Sequence, residues 1–304
     1  MSAAIIFILL LVLMLTGMPI SISLGLTVLT FLFTMTEVPI ESVALKLFTG
    51  IEKFEIMAIP FFILAGNFLT HGGVARRMIN FATSMVGHWH GGLGLGGVVA
   101  CALFAAVSGS SPATVVAIGA ILLPAMVKQG FPNKFGAGVI TTSGALGILI
   151  PPSIVMVMYS VSTNTSVGAL FMAGVVPGIL LAAFLGFTTW NRARKFGYPR
   201  LPKATWAQRA KAFKDSAWGL FLIVVVMGGI YTGIFTPTEA AAMSAVYAFF
   251  VAVFVYKDLG MKDVPKVLLN SANMSAMLLY IITNAVLFSF LLTHENIPQA
   301  ISEW

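Results

Sequence analysis

A polar turn of sequence SGSSP at residues 108–112 interrupts an apolar run that covers residues 92–127. Each apolar arm is shorter than the ~20 residues that a helix needs to cross a bilayer. The run therefore predicts a re-entrant helical hairpin, which enters the membrane, turns at mid-depth and returns. Irregular backbone at that depth is tolerated only where it is buried in protein or lines a wet cavity.

The composition excludes a soluble protein. The chain of 304 residues is 59% hydrophobic and 9% charged, with a mean hydropathy of +0.98, whereas soluble domains carry ~25% charged residues. It predicts an all-α polytopic membrane protein. The net charge of +7 does not indicate a nucleic-acid partner, because the basic residues lie in short loops between apolar segments. Cys101 is the single cysteine, so the sequence predicts no disulfide framework and no thiol metal cluster.

The basic residues predict the orientation in the membrane. The region 191–214 holds eight Lys and Arg residues and no acid, which predicts a cytoplasmic location. Counting spans away from it places every Lys and Arg except Lys46 and Lys53 on the cytoplasmic side and the N-terminus in the periplasm. The other apolar segments are 3–16, 19–36, 56–70, 135–162, 168–190, 216–235, 238–256 and 274–293.

A weak internal repeat is the second organising feature. Thr16-Gly17 begins a span–arm–span unit that ends in the sequence LTH at 69–71, and Thr232-Gly233 begins another that ends in LTH at 292–294. Two short matches could arise by chance, but the order of elements agrees and the connector charges are inverted. Inverted repeats are typical of secondary transporters. By the length of the first copy, we expect a C-terminal portion of roughly a hundred residues, with a second hairpin and broken span, to follow residue 304.

The hairpin tip offers two kinds of backbone group. The first arm is expected to end near Ser108, which leaves free carbonyls in the turn. Ser111 is the expected N-cap of the second arm, with Pro112 at the first helical position. Carbonyls suit a small cation and helix N-terminal N–H groups suit a carboxylate. The alternative is a tight helix-packing turn of small residues.

A second break is predicted inside the span 135–162, where residues 144–153 read GALGILIPPS. Pro151 and Pro152 remove two backbone donors and displace Ile150 from helical geometry. Carbonyls nearby, including that of Gly147, thereby lose helical partners. A simple proline kink is the alternative interpretation.

The coupling ion is inferred from residue types. No acidic residue and no histidine occurs between His90 and Asp215, whereas proton relays in membranes use such residues. Neutral hydroxyl and carbonyl oxygens fit Na⁺ better than H⁺, and divalent sites add carboxylates. The predicted sodium ligands are the backbone carbonyls of Ser108, Ser111, Gly147, Ile150 and Pro152. The predicted substrate-binding residues are Ser110, Ser111, Thr114 and Ser153.

Four motifs carry a family resemblance: SGSSPAT at 108–114, GILIPPS at 147–153, AGVVPG at 173–178 and GIFTPTEA at 233–240. With them, essentially the whole chain resembles the large membrane (M) subunit of the tripartite ATP-independent periplasmic (TRAP) transporters, most closely the C4-dicarboxylate branch. The family runs beyond residue 304, so a chain that ended there would not be expected to transport.

The resemblance implies Na⁺-driven import of malate, succinate and fumarate across the bacterial inner membrane. It implies an elevator motion of the hairpin domain and sodium sites at the tips of two hairpins. The implied partners are a small membrane subunit (Q type) and a periplasmic substrate-binding protein (P type), and no organic cofactor is expected.

The chain is accordingly divided into four parts. Residues 1–77 are expected to form scaffold spans and an arm, 78–190 half of a transport domain, 191–215 a cytoplasmic basic loop, and 216–304 further scaffold and the start of the second repeat. Two transporter alternatives remain open, an importer of another organic anion such as sialic acid and a proton-coupled anion transporter. An enzyme would need an acid, histidine or metal cluster within the spans, and a purely structural subunit would need no mid-membrane breaks.

Overall fold

The computed structural model describes residues 2–36 and 38–303, and every regular element in those ranges is a helix. This confirms the predicted all-α class. The helices are α1 (Ser2–Leu15), α2 (Ile20–Met35), α3 (Ile40–Thr49), α4 (Ala58–His71), α5 (Val74–Val86), α6 (Gly92–Ser108), α7 (Ser111–Lys128), α8 (Asn133–Gly144), α9 (Leu146–Leu149), α10 (Ile154–Thr163), α11 (Val167–Lys195), α12 (Trp206–Tyr231), α13 (Pro237–Phe250), α14 (Val264–His294) and α15 (Ile297–Glu303). A 3₁₀ turn at Phe54–Met57 precedes α4, and a π-helical turn at Val251–Val255 extends α13.

Six helices in the described ranges are long and apolar enough to cross a membrane, by length and composition. Helices α8–α9 and α10 add a seventh span if they are counted together, and they are bent by 42° at the break between them. The hairpin's first arm, α6, is a shorter apolar helix of 17 residues. The chain is therefore a polytopic membrane protein, as predicted.

The basic connection after α11 is shorter than the region 191–214. Helix α11 continues to Lys195 and α12 already begins at Trp206. A capping box starts α12, because the Thr205 hydroxyl accepts the N–H of Gln208 at 3.3 Å and the Gln208 side chain accepts the N–H of Thr205 at 2.9 Å. The first turns of α12 are thus helical although their side chains are basic and polar.

The two Thr-Gly motifs of the predicted repeat have the same local structure. Each threonine hydroxyl donates to a carbonyl of the preceding turn, Thr16 to Leu13 at 2.6 Å and Thr232 to Gly228 at 2.7 Å. The glycine that follows each threonine has a positive φ, +84° and +74° respectively, and the helix ends there. The second copy differs from the first in one respect, since α14 is one helix of 31 residues where a separate arm and span were predicted.

The contacts divide the chain into two compact units, one formed by residues up to Phe54 and from Asn273 on, the other by Glu55–Ala272. In the first unit, side chains of α2 and α14 pack around Leu32 and Leu291. In the second unit, α6 contacts α4, α5, α7, α8 and α11, and its residue Phe104 is fully buried. The predicted division into scaffold and transport parts stays a prediction.

Candidate substrate and ion site

The tip of the hairpin is a two-residue change of direction, Gly109 and Ser110, between α6 and α7. Helix α6 ends at Ser108, and Gly109 caps it in the left-handed region at φ +62°, with its N–H bonded to the Ala105 carbonyl at 2.9 Å. Ser110 is extended and its hydroxyl accepts the N–H of Ala113 at 3.4 Å. Two helices joined by a tight turn are thus present where the hairpin was predicted, although the second arm, α7, is by length and composition able to cross a membrane; re-entry into the membrane stays a prediction.

The predicted N-cap at Ser111 is wrong by one residue. Ser110 is the cap, Ser111 is the first helical residue, and Pro112 is the second. Pro112 is tolerated there because the N–H groups of the first helical turn have no intrahelical acceptor. The N–H that proline lacks therefore costs no helical hydrogen bond.

Two buried hydroxyls face each other inside the tip. Ser108 and Thr114 are both fully buried, and their hydroxyl oxygens lie 3.2 Å apart. The Thr114 hydroxyl also contacts the Ser110 carbonyl at 2.8 Å. Among the predicted substrate-binding residues, only Ser110 and Ser111 are partly exposed in this conformation.

The broken span has the interruption that its prolines predicted. Helix α9 ends at Leu149, an extended stretch with a cis Pro151–Pro152 peptide follows, and α10 begins after Ser153. Ser153 is fully buried, and its hydroxyl donates to the Ile148 carbonyl at 2.8 Å. In a regular helix the Ile148 carbonyl would accept the N–H of residue 152, but Pro152 has no N–H. The Ser153 hydroxyl donates to that carbonyl instead. Ser153 therefore holds the break together in addition to any role toward a substrate.

The two breaks lie directly against each other. The Gly109 carbonyl at the hairpin tip accepts the N–H of Ile154 at 3.0 Å. A Cβ added to Gly109 would lie 2.9 Å from the Pro152 oxygen, and one added to Gly147 would lie 2.8 Å from the Ser111 nitrogen. Real Cβ atoms essentially never approach other atoms below 3.0 Å, so glycine is required at both positions. The two breaks that the sequence predicted separately are therefore in direct contact.

Three of the five carbonyls predicted to bind sodium have lost their helical donor. The residue four positions after Ser108 is Pro112, and the residue four positions after Gly147 is Pro151; neither has an N–H. The N–H that would serve Ile150 belongs to Ile154, which donates to Gly109 instead.

The remaining two predicted sodium ligands are Ser111 and Pro152. The Ser111 carbonyl lies 3.6 Å from where a Cβ of Gly144 would stand, and the Pro152 carbonyl faces Gly109. Of these two, the Pro152 carbonyl lies at the contact between the breaks, whereas the Ser111 carbonyl faces α8. Within the described ranges, no group of three or more His, Cys, Asp or Glu side chains could hold a metal ion.

Three glycines on α4 and α11 allow these two helices to lie close to the breaks. A Cβ on Gly66 of α4 would stand 3.3 Å from the Ser108 Cβ. On α11, a Cβ on Gly174 would stand 2.6 Å from the Leu149 oxygen, and one on Gly178 2.8 Å from the Ile150 side chain. Gly174 and Gly178 belong to a motif that the sequence singled out, whereas Gly66 was missed. Its signal is the small pair Ala65-Gly66 inside an apolar span, which is typical of close helix packing.

A histidine outside the spans has an altered pKa. His90 lies between α5 and α6, and its Nε2 accepts a hydrogen bond from the Arg200 guanidinium. Partial desolvation first, and the positive charges of Arg200 and Arg194 second, lower the pKa of His90 below 6.5. The N–H of Leu201 donates to the Gly87 carbonyl at 2.9 Å. The connection between α11 and α12 is therefore hydrogen-bonded twice to the loop between α5 and α6.

The family is established by comparison with known sequences. The profile of the DctM component of the tripartite ATP-independent periplasmic transporters matches residues 7–304. The chain belongs to this DctM family. It is therefore a transporter component and not an enzyme, as the sequence predicted.

Curated members of the DctM family align with nearly all of the chain. It is 80% identical to the C4-dicarboxylate TRAP transporter large permease protein of Rhodobacter capsulatus, over 100% of this chain and 72% of the relative. It is 51% identical to the protein of the same description from Pseudomonas aeruginosa, over 93% of this chain and 66% of the relative. It is 35% identical to the sialic acid TRAP transporter large permease protein of Vibrio cholerae, over 96% and 68%.

Proposed function

We propose that this chain is the membrane permease of a sodium-coupled TRAP importer for C4-dicarboxylates such as succinate, malate and fumarate. The substrate class rests on the relatives described as C4-dicarboxylate permeases, which are 80%, 51% and 48% identical to the chain. The relative described as a sialic acid permease is 35% identical. Higher identity to the dicarboxylate group favours that class over other organic anions.

Sodium coupling is supported by one observation above all, the contact between the two breaks. The carbonyls of Ser108, Gly147 and Ile150, which belong to these two breaks, have no helical donor. Uncharged oxygens stabilise a monovalent cation without supplying a proton acceptor. Because no acid or histidine lies between His90 and Asp215, neither break has a side chain that would carry a proton instead.

The substrate is proposed to bind beside this ion site, at the partly exposed hydroxyls of Ser110 and Ser111. The N-terminus of α7 begins here, and helix N-termini favour carboxylates. Thr114 and Ser153 are fully buried, and they are proposed to support the binding surface from the protein interior. The proposed cycle is an elevator motion of the hairpin part against α4 and its neighbours.

The proposed assembly follows from the TRAP family. The permease would work with a small membrane subunit and a periplasmic substrate-binding protein in the bacterial inner membrane. The basic connection between α11 and α12 would face the cytoplasm and the N-terminus the periplasm.

The test is uptake of radiolabelled succinate by the assembled transporter in proteoliposomes, with the substrate-binding protein supplied outside. An imposed inward Na⁺ gradient at equal pH is expected to drive accumulation. A pH gradient without Na⁺ is expected to drive none, and the reverse result would identify a proton-coupled transporter. Unlabelled malate and fumarate should compete, whereas competition by sialic acid alone would favour the other substrate class.

A further inference from the structure

A basic cleft of about 660 Å³ lies between α5 and α12. Its cations are Arg76 and Arg77 on α5 and Lys211 and Lys214 on α12. A volume of this size is within the range of small-ligand sites in proteins, roughly 300–1,000 Å³. None of its lining residues belongs to the hairpin tip or to the broken span, so the cleft is separate from the proposed transport site.

The two arginines of the cleft are held in place. Both form ion pairs with Asp258, Arg76 at 3.4 Å and Arg77 more closely. The Arg77 guanidinium also stacks 3.8 Å from the centre of the Tyr256 ring. Such a fixed planar guanidinium suits bidentate binding of a phosphate.

The acids nearby do not neutralise the cleft. Asp258 and Asp215 are the carboxylates beside four cations, so the local charge is positive. In the described part of the chain, the salt bridges around this cleft are those of Asp258 with the two arginines. Lys211 and Lys214 are therefore available to an added anion.

The wall formed by α12 is fixed by hydrogen bonds to its backbone. The Tyr247 hydroxyl donates to the Trp218 carbonyl at 2.8 Å, and the Tyr256 hydroxyl donates to the Asp215 carbonyl at 2.7 Å. Tyr247 lies in α13, and Tyr256 directly follows the π-helical turn that extends it. The cleft is thus preformed, which lowers the entropic cost of binding a ligand.

An apolar groove of about 550 Å³ continues from the cleft along α12. Trp218 lines both. Phe213, Phe221 and Val224 line the groove and are 54%, 52% and 64% exposed. From Lys211 to Val224 the helix rises about 20 Å, which is the depth from the headgroup region into one leaflet of a hydrocarbon core ~30 Å thick.

We propose that this surface binds one anionic phospholipid, with its phosphate at the four cations and an acyl chain along the groove of α12. A free phosphate would use the cleft but not the groove, and a buried peptide helix would not need the cations. Only a lipid combines a phosphodiester with an apolar chain of this length in a membrane. Basic pockets between membrane helices are known to take lipid headgroups. The proposal does not depend on the transported substrate or on sodium.

The test is native mass spectrometry of the purified transporter, titrated with phosphatidylglycerol, phosphatidylethanolamine or inorganic phosphate. Phosphatidylglycerol is expected to bind more tightly than phosphatidylethanolamine, and inorganic phosphate is expected not to displace it. Lys211→Gln with Lys214→Gln should weaken phosphatidylglycerol binding roughly fivefold for each lysine. The matched control is Lys195→Gln with Lys203→Gln, which removes two charges from the same basic region outside the cleft and should leave binding unchanged.

A second pair of variants separates charge from folding. Lys211→Arg with Lys214→Arg keeps both charges and is expected to retain phosphatidylglycerol binding. Equal weakening by the control pair, equal affinity for phosphatidylethanolamine, or displacement by inorganic phosphate would each overturn the proposal. Co-purification of a protein segment that phosphatidylglycerol does not displace would also overturn it.

Discussion

The N–H of Ile154 donates to the carbonyl of Gly109 across 3.0 Å, so the first residue of α10 is hydrogen-bonded to the tip of the hairpin. This one bond has two effects. It ties two irregular stretches together deep in an apolar protein, and it leaves the Ile150 carbonyl without its helical donor. The bond that holds the tip together therefore also frees one of the carbonyls that are proposed to bind sodium.

Gly147→Ala is expected to reduce sodium-driven succinate uptake at least about fivefold. Its Cβ would stand 2.8 Å from the Ser111 nitrogen, and overpacking of this kind costs about 1–3 kcal/mol, of which ~1.4 kcal/mol corresponds to a factor of ten. Uptake in proteoliposomes and thermal unfolding would measure the effect. Gly138→Ala in α8 is the matched control, because nothing lies within 4 Å of its Cβ position. Equal loss in both variants would contradict the close contact.

Thr114→Val is expected to destabilise the permease by about 1 kcal/mol. The change keeps the side-chain shape but removes the hydroxyl that faces Ser108 at 3.2 Å, which leaves a buried oxygen short of one partner. Thermal unfolding in detergent would report the loss as a lower Tm. Thr114→Ser keeps the hydroxyl and should retain more stability than Thr114→Val. The idea fails if the valine variant is the more stable of the two.

A disulfide between α4 and the hairpin is expected to stop transport if the proposed elevator motion is correct. The Cβ position of Gly66 lies 3.3 Å from the Ser108 Cβ, near the ~3.5–4.5 Å of disulfide-bonded pairs. Gly66→Cys with Ser108→Cys, in a background where Cys101→Ala removes the native thiol, should cross-link on oxidation. Uptake should fall when oxidised and return with reductant.

The single variants Gly66→Cys and Ser108→Cys are the controls for that experiment. Neither should respond to oxidation, because each has one thiol. Undiminished uptake by a fully cross-linked double variant would rule out movement of the hairpin tip away from α4.

His90 is expected to titrate below pH 6.5, because desolvation and the charges of Arg200 and Arg194 disfavour its protonated form. As pH falls through 6.5, the unfolded chain then binds the proton before the folded protein does. The contribution of His90 therefore lowers stability on the acid side and is absent at higher pH, where both states are neutral. Histidine NMR of the purified protein would give the pKa.

Arg200→Gln tests the cause of that shift. It should move the pKa of His90 up toward 6.5 by removing one positive neighbour. Lys203→Gln removes a charge from the same connection and should move the pKa less. An unchanged His90 pKa in Arg200→Gln would mean that the guanidinium does not act on the ring.

Both breaks could be predicted because proline and glycine act locally. Pro112, Pro151 and Pro152 remove donors whatever surrounds them, so the missing hydrogen bonds follow from the sequence alone. The capping residue was assigned one position too late because both Ser110 and Ser111 satisfy the preference for serine. Which of them caps depends on where α6 stops, and Gly109 decides that by taking a left-handed conformation.

Other features needed three dimensions or a signal of another kind. The role of Gly66 depends on which helix lies opposite, and one sequence without a contact map does not specify it. The early start of α12 had a local signal, the sequence TWAQ at 205–208, which is a capping box. Hydropathy missed it because helical hydrogen bonds form irrespective of side-chain polarity.

The oxygens at the meeting point of the breaks belong largely to the main chain, whereas the partly exposed hydroxyls of Ser110 and Ser111 are side-chain atoms. Under the proposed function, energy coupling and choice of cargo then rest on chemically distinct atoms a few ångströms apart. Substitution of side chains could then change the transported solute, while the ion site, which is formed by peptide carbonyls, stayed the same. A family that serves many solutes with one driving force would be the natural result.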